Sequence, residues 1–178
     1  MPDNDVWAKI EIQQGDITKL AVDGIVNAAN SRLVGGSGVD GAIHQAAGPE
    51  LCAACRELGG CQTGHAKITL GFKLPAQYII HAVGPVYHGG HGGEPELLAA
   101  CYKHSLELVV EQGLKSVAFS AISTGIYSYP FEAATRIALK TTFDFLADHA
   151  EIEKAIFIFF SKNHFEQAQE IFAELSSQ

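Results

Sequence analysis

Ile25-Val26-Asn27-Ala28-Ala29-Asn30, followed after four residues by Gly35-Gly36-Ser37-Gly38-Val39-Asp40-Gly41-Ala42-Ile43-His44, lays out three elements in succession. A short apolar run closing on asparagines reads as a strand covered on both faces. The glycines that follow allow the main chain to turn sharply and to approach a ligand closely. From about Val39 apolar positions recur at helical spacing. Strand, loop and helix in this order form the repeating unit of layered α/β domains, and ligands bind such domains at the carboxyl ends of the strands.

Outward from this segment the alternation continues. Ala8–Gln13, Gly24–Asn27, Ala66–Leu70, Tyr78–Val83, Val117–Ala121 and Ala155–Phe160 read as strands. Val39–Ala47, Glu50–Leu58, Glu96–Gln112, Pro130–Asp148 and Asn163–Leu175 read as helices. In the third helix Leu97, Cys101, Leu108 and Val109 form the expected buried stripe. In the fourth Phe131, Ala134, Ala138 and Phe145 do so, and Pro95 and Pro130 stand where a first-turn proline is tolerated. The pattern predicts an α/β domain with a largely parallel sheet. No repeat or linker interrupts it, so residues 1–178 read as one domain with its core from about residue 8 to 175.

The 178 residues are 47% hydrophobic and 18% charged, which excludes a disordered or low-complexity chain. Twenty acidic against 12 basic residues give a net charge of -8. That lacks the basic footprint from which nucleic-acid binders gain affinity, so direct nucleic-acid binding is not expected. Met1-Pro2-Asp3-Asn4-Asp5 leads into no apolar signal core, and no run approaches the roughly 20 apolar residues of a membrane span. A cytoplasmic protein without membrane partners is expected. Of four cysteines, Cys52, Cys55 and Cys61 crowd together and read as reduced thiols. Together with His65 they are ligand types that zinc uses, but their spacing does not complete a finger. His88-Gly89-Gly90-His91 reads as a flexible solvated loop. No metal and no cofactor is expected.

The chemistry lies in the glycine-rich loops. Backbone N–H groups turned inward, with the positive end of a helix dipole behind them, bind a diphosphate without lysines. A second candidate, Ala121-Ile122-Ser123-Thr124-Gly125-Ile126-Tyr127, again joins a strand to a helix. Two facing loops can hold one diphosphate. Neither GxGxxG nor GxxxxGK[ST] is present, so a dinucleotide oxidoreductase and a P-loop NTPase are not supported.

Gly15-Asp16-Ile17-Thr18, the stretch from Val26 to His44, Gly60-Cys61-Gln62-Thr63-Gly64-His65-Ala66-Lys67-Ile68-Thr69, Ile80-His81-Ala82-Val83-Gly84-Pro85 and Ala121 to Tyr129 together resemble the macrodomains. More narrowly they resemble the MacroD-type group, which includes bacterial O-acetyl-ADP-ribose deacetylases, and the likeness runs from about Ile10 to Phe172. The resemblance implies a three-layer α/β/α domain with a mixed central sheet and an ADP-ribose cleft. It places Gly36, Ser37, Gly38 and Val39 with Ser123, Thr124, Gly125 and Ile126 at the diphosphate and distal ribose, and Asp16 with the Ile17 backbone at the adenine. The competing structural role for Asp16 is to cap the short Ile17–Leu20 turn. Phe160 matches an aromatic that covers the base, although its continuous apolar run reads as core.

The activity implied is hydrolysis of ADP-ribose esters: O-acetyl-ADP-ribose to ADP-ribose and acetate, and mono-ADP-ribose from Asp or Glu side chains. Asn30 would hold a distal-ribose hydroxyl, Asp40 would orient or deprotonate a water, and Tyr127 would close over the ribose. The substrate's own phosphate is the alternative activator. ADP-ribose, its esters and ADP-ribosylated proteins are the partners implied. A module of another class, reading ADP-ribose without cleaving it or regulating a protein partner, is the competing expectation. The chain departs from the family pattern at Ser37 and Ser128, where glycines are usual, at Ser120, where proline is usual, and at Gln45 and Ser161.

Overall fold

The computed structural model describes residues 3–178. Six strands form one sheet: β1 (Ile10–Gln14), β2 (Gly24–Ala28), β3 (Ala66–Leu70), β4 (Tyr78–Ala82), β5 (Ser116–Phe119) and β6 (Lys154–Phe159). Their order is β1-β6-β5-β2-β4-β3, parallel except for the edge strand β3, which runs antiparallel to β4. The helices are α1 (Asp3–Trp7), α2 (Gly38–Ala47), α3 (Pro49–Leu58), α4 (Glu94–Glu111), α5 (Phe131–Ala147) and α6 (Lys162–Ser176).

Alternation along the strands explains the three layers. Ile25, Ile79, Ala118, Ile156 and Ile158 pack on one face with α2 and α3. Val26, Ile80, Val117, Phe119, Phe157 and Phe159 pack on the other with α1, α4, α5 and α6. Both faces are therefore apolar, as the sequence runs require. Phe119, Phe157 and Tyr102 form an aromatic cluster there, with the Phe119 and Phe157 rings stacked 5.0 Å apart.

Several expectations need correction. In α4 the buried stripe is Leu98, Cys101, Tyr102, Ser105, Leu106 and Val109, while Leu97 and Leu108 are only half-buried. Cys101 and Val109 are buried as expected, and Leu97 covers Gly64 instead. In α5 Ala134 and Ala138 are buried, but Phe131 and Phe145 are half-buried near the helix ends and stack on His164 and His149. Helix α1 had no signal because only Val6 of its five residues is buried, too few positions to show a period. Strand β6 ends at Phe159, which leaves Phe160 outside the sheet and 83% exposed rather than in the core. Among the described residues no helix is long and apolar enough to cross a membrane.

Candidate active site

Because β1, β6, β5, β2 and β4 are parallel, their carboxyl ends lie along one edge of the sheet. The loop after β2 and the loop after β5 are neighbours there, since the two strands pair directly. Between them lies a cleft of about 200 Å³. Of the residues singled out in the sequence, it is lined by Asn30, Gly36, Ser37, Gly38, Val39, Asp40, Ser123, Gly125, Ile126 and Tyr127. Thr124 instead borders a small void behind the loop with α5 and β6. Asp16, Ile17 and Phe160 are outside the cleft, at the carboxyl ends of β1 and β6, where the Gly15 N–H donates to the Phe159 carbonyl at 3.0 Å. Reading β2, β5, β6 and β1 in order, the candidate residues extend across three strand spacings, roughly 14 Å at ~4.8 Å each. An elongated ligand is what such a row accommodates.

The glycine loop is held from behind by Asp40. Its Oδ2 accepts the Gly36 N–H at 2.9 Å, and its Oδ1 accepts the Asn27 amide at 2.7 Å and faces His44 Nε2 at 3.4 Å. Asp40 is only 6% exposed. Burial alone would raise its carboxyl, but His44, Asn27 and the Gly36 N–H together outweigh that and hold it below the usual aspartate range. A Cβ at Gly41 would collide with the Gly36 carbonyl, so the loop and the first turn of α2 pack backbone to backbone. Ser37 caps α2 with extended dihedrals and thus bears its side chain without strain. Asn30 closes the start of the loop: its Nδ2 donates to the Val34 carbonyl at 2.6 Å and its Oδ1 accepts the Val34 N–H at 3.1 Å. Each of these atoms keeps a second hydrogen-bonding direction for a ligand.

Behind Asp40 a buried polar chain crosses the sheet. Asn27 and His81 are opposite one another on β2 and β4, with Nδ2 and Nδ1 3.4 Å apart, and His81 Nε2 is 3.0 Å from Thr69 Oγ1 on β3. Burial pushes His81 down to about 4, with His44 adding to the effect against the pull of Asp40, so the ring is neutral at pH 7. Asn27 and His81 were visible as polar residues inside apolar strand runs, and that is the signal a buried network leaves in a sequence.

The second loop is strained where it meets the cleft. Ser123 is buried with φ +68°, and among the described residues its Oγ has no partner. Gly84, at the end of β4, lets this turn approach, because a Cβ there would run into Ser123 Oγ and Ile122 Cγ2. Ser120 donates its hydroxyl to the Val26 carbonyl at 2.7 Å, tying the loop's base to β2. Tyr127 lines the cleft, and its carbonyl accepts the Tyr87 N–H at 2.9 Å.

Asp16 does cap the Ile17–Lys19 turn. Its Oδ1 accepts the Thr18 N–H at 2.9 Å and the Thr18 hydroxyl at 2.7 Å, and the hydroxyl contact, more than any other, holds the carboxyl low against partial burial. Among the described residues Oδ2 has no partner, so capping leaves an acceptor over. Ser161 accepts the His164 N–H at the start of α6, beside Phe160. The cysteines form no disulfide. Cys52 is exposed and Cys55 buried on α3, and among the described residues no three His, Cys, Asp or Glu side chains converge as a metal set. Glu94, which no sequence pattern marks, organises the His88–Gly93 loop that was expected to be flexible.

The family model for the macro domain matches residues 26–138. An O-acetyl-ADP-ribose deacetylase of Cronobacter sakazakii is 49% identical over 174 residues, covering 96% of this chain and 97% of that protein. Human ADP-ribose glycohydrolase MACROD2 is 57% identical over 154 residues, covering 85% of this chain but only 36% of that protein. A crystal structure of a Trypanosoma brucei macrodomain in complex with ADP-ribose superposes with a TM-score of 0.87 at 43% identity, covering 91% of this chain and 68% of that one. With its mixed sheet and its two-loop cleft at the strand ends, the chain belongs to the macro domain family.

Proposed function

We propose that this protein binds ADP-ribose along the carboxyl edge of the sheet and hydrolyses its esters, releasing acetate from O-acetyl-ADP-ribose and mono-ADP-ribose from Asp or Glu side chains. The observation that carries the reading is the convergence of ten residues from two separate loops on one cleft, with an unpaired hydroxyl and glycine backbone at its walls. In this reading the loops hold the diphosphate through N–H groups, as befits a chain of net charge -8. Phe160 offers a flat apolar face to the adenine, and Asp16 Oδ2 accepts from its amino group. The names borne by the Cronobacter and human relatives supply the reaction class.

The hydrolysis needs a water set against the acyl carbon and an acceptor for its proton. Asp40 is a poor base: it is buried, its carboxyl is held low, and both oxygens are engaged. Its part is to fix the Gly36 backbone and thereby the loop. The proton then passes to a non-bridging phosphate oxygen of the substrate. Water oxygen bonds to the acyl carbon, the ester bond to the ribose oxygen breaks, and that oxygen leaves carrying the proton. Asn30 holds the distal ribose and Tyr127 covers it. Incubation with O-acetyl-ADP-ribose, with acetate and ADP-ribose followed by mass spectrometry, tests the reading. Turnover is expected. Micromolar binding with no turnover would make the protein a reader of ADP-ribose.

A further inference from the structure

Glu94, the first residue of α4, is only 3% exposed although it stands at the end of a glycine-rich loop. Its carboxylate accepts the backbone N–H groups of His88 at 2.9 Å, Gly90 at 2.8 Å and Gly92 at 2.6 Å. Four of the six residues from His88 to Gly93 are glycine, and Gly89, Gly90 and Gly93 have φ of +89°, +85° and +84°. A stretch of this kind gains no fixed shape from its own side chains and loses much entropy on ordering. One carboxylate gathering three N–H groups supplies the shape. An amide in its place would point a donor at those donors.

The fixed loop reaches the cleft through Tyr87. A Cβ at Gly90 would lie 3.1 Å from Tyr87 Oη, so the phenol rests against the loop, and its ring is 4.7 Å from that of Tyr129. The Tyr87 N–H donates to the Tyr127 carbonyl at 2.9 Å, and the Tyr129 N–H donates to the Ser123 carbonyl at 2.9 Å. The segment carrying Tyr127 is thus braced from the α4 side as well as from its own strand.

We propose that Glu94 is a positioning residue for the distal-ribose end of the cleft: its carboxylate sets the His88–Gly93 loop, and through the Tyr87 backbone that loop sets where Tyr127 stands. The inference rests on the reading above in which Tyr127 covers the distal ribose. ADP lacks that ribose, so its affinity reports the fold and the adenine and diphosphate contacts alone.

Calorimetric titration of the full chain with ADP and with ADP-ribose tests it, using wild type, Glu94→Gln, Tyr127→Ala and the double variant. Glu94→Gln should weaken ADP-ribose by about three- to thirtyfold and leave ADP within about twofold. The double variant should be no worse than Tyr127→Ala, because both act on one group. Gly90→Ala, which keeps Glu94 but strains the loop beside Tyr87 at φ +85°, should show the same ligand-selective loss. Equal weakening of both ligands by Glu94→Gln, no weakening of either, additive losses in the double variant, or an unchanged ligand ratio in Gly90→Ala would each overturn the proposal. If Tyr127→Ala itself fails to separate the two ligands, the reading of Tyr127 falls and takes the inference with it. If it separates them and Glu94→Gln does not, the inference alone falls.

Discussion

Asp40 gives both carboxylate oxygens to its own protein, one to Gly36 and one to Asn27. Its removal should therefore act on the loop as much as on the water. Asp40→Ala is expected to lower ester turnover by ~10² or more, with ADP-ribose affinity falling alongside because the Gly36 backbone loses its anchor. Lost turnover with unchanged affinity would restore Asp40 as the base. Ser128 carries a different cost. It sits at φ +62°, where a side chain crowds the main chain, and the family pattern has glycine. Ser128→Gly should raise stability by about 0.5–1 kcal/mol after the glycine's extra unfolded freedom is discounted, seen as a small rise in Tm; a fall would show that the loop does not hold that dihedral. That the loops after β2 and β5 would face one another was readable from their composition and order. What each side chain touches was not. Asp16 was open between cap and ligand, and among the described residues it has one oxygen committed and one without a partner. For Phe160 the apolar run alone pointed to core, against the base-covering place the resemblance implies, because a run of apolar letters does not show where pairing stops.

The loops after β2 and β5 owe their approach to glycines whose neighbours come from other segments. Gly84 is the clearest case, since any Cβ there meets Ser123 and Ile122 across the cleft wall. Gly84→Ala should destabilise the protein by roughly 1–3 kcal/mol through overpacking and push the second loop out of register, so that ADP-ribose affinity drops in the same titration. An alanine variant with native Tm and native affinity would contradict the packing described. Strands and the longer helices were legible because their periods are long enough to count. The Gly84–Ser123 contact was hidden because its partners lie far apart in the chain, whereas the Glu94 loop is local but is built on backbone N–H groups, which leave no residue pattern. The His88-Gly89-Gly90-His91 stretch looked unstructured when read alone, and six residues on a single carboxylate gathers it.

Stability of the entire domain should follow the buried imidazole. His81 is pushed from 6.5 to about 4 in the folded chain, so below pH 6.5 the unfolded form takes up a proton that the folded form refuses. Stability is complete above pH 6.5 and declines as the pH falls toward 4, by about 3 kcal/mol in total. The lowered carboxylates act further down: Glu94, at about 2, loses its contribution only below the ordinary glutamate range. Denaturant titrations between pH 7 and 4 should show the slope, and His81→Gln should flatten it; an equal slope in the variant would assign the effect elsewhere. The pairing of β1 with β6, from Ile10 opposite Ala155 to Gln14 opposite Phe159, has its own consequence. Gly15 and Phe159 come from opposite ends of the polypeptide, so pairing their strands closes about 140 intervening residues into a ring, the kind of long-range closure that costs most entropy. Under the proposed reading of Asp16 and Phe160 as the adenine contacts, a chain cut before β6 would keep the loops after β2 and β5 and lose the base contacts.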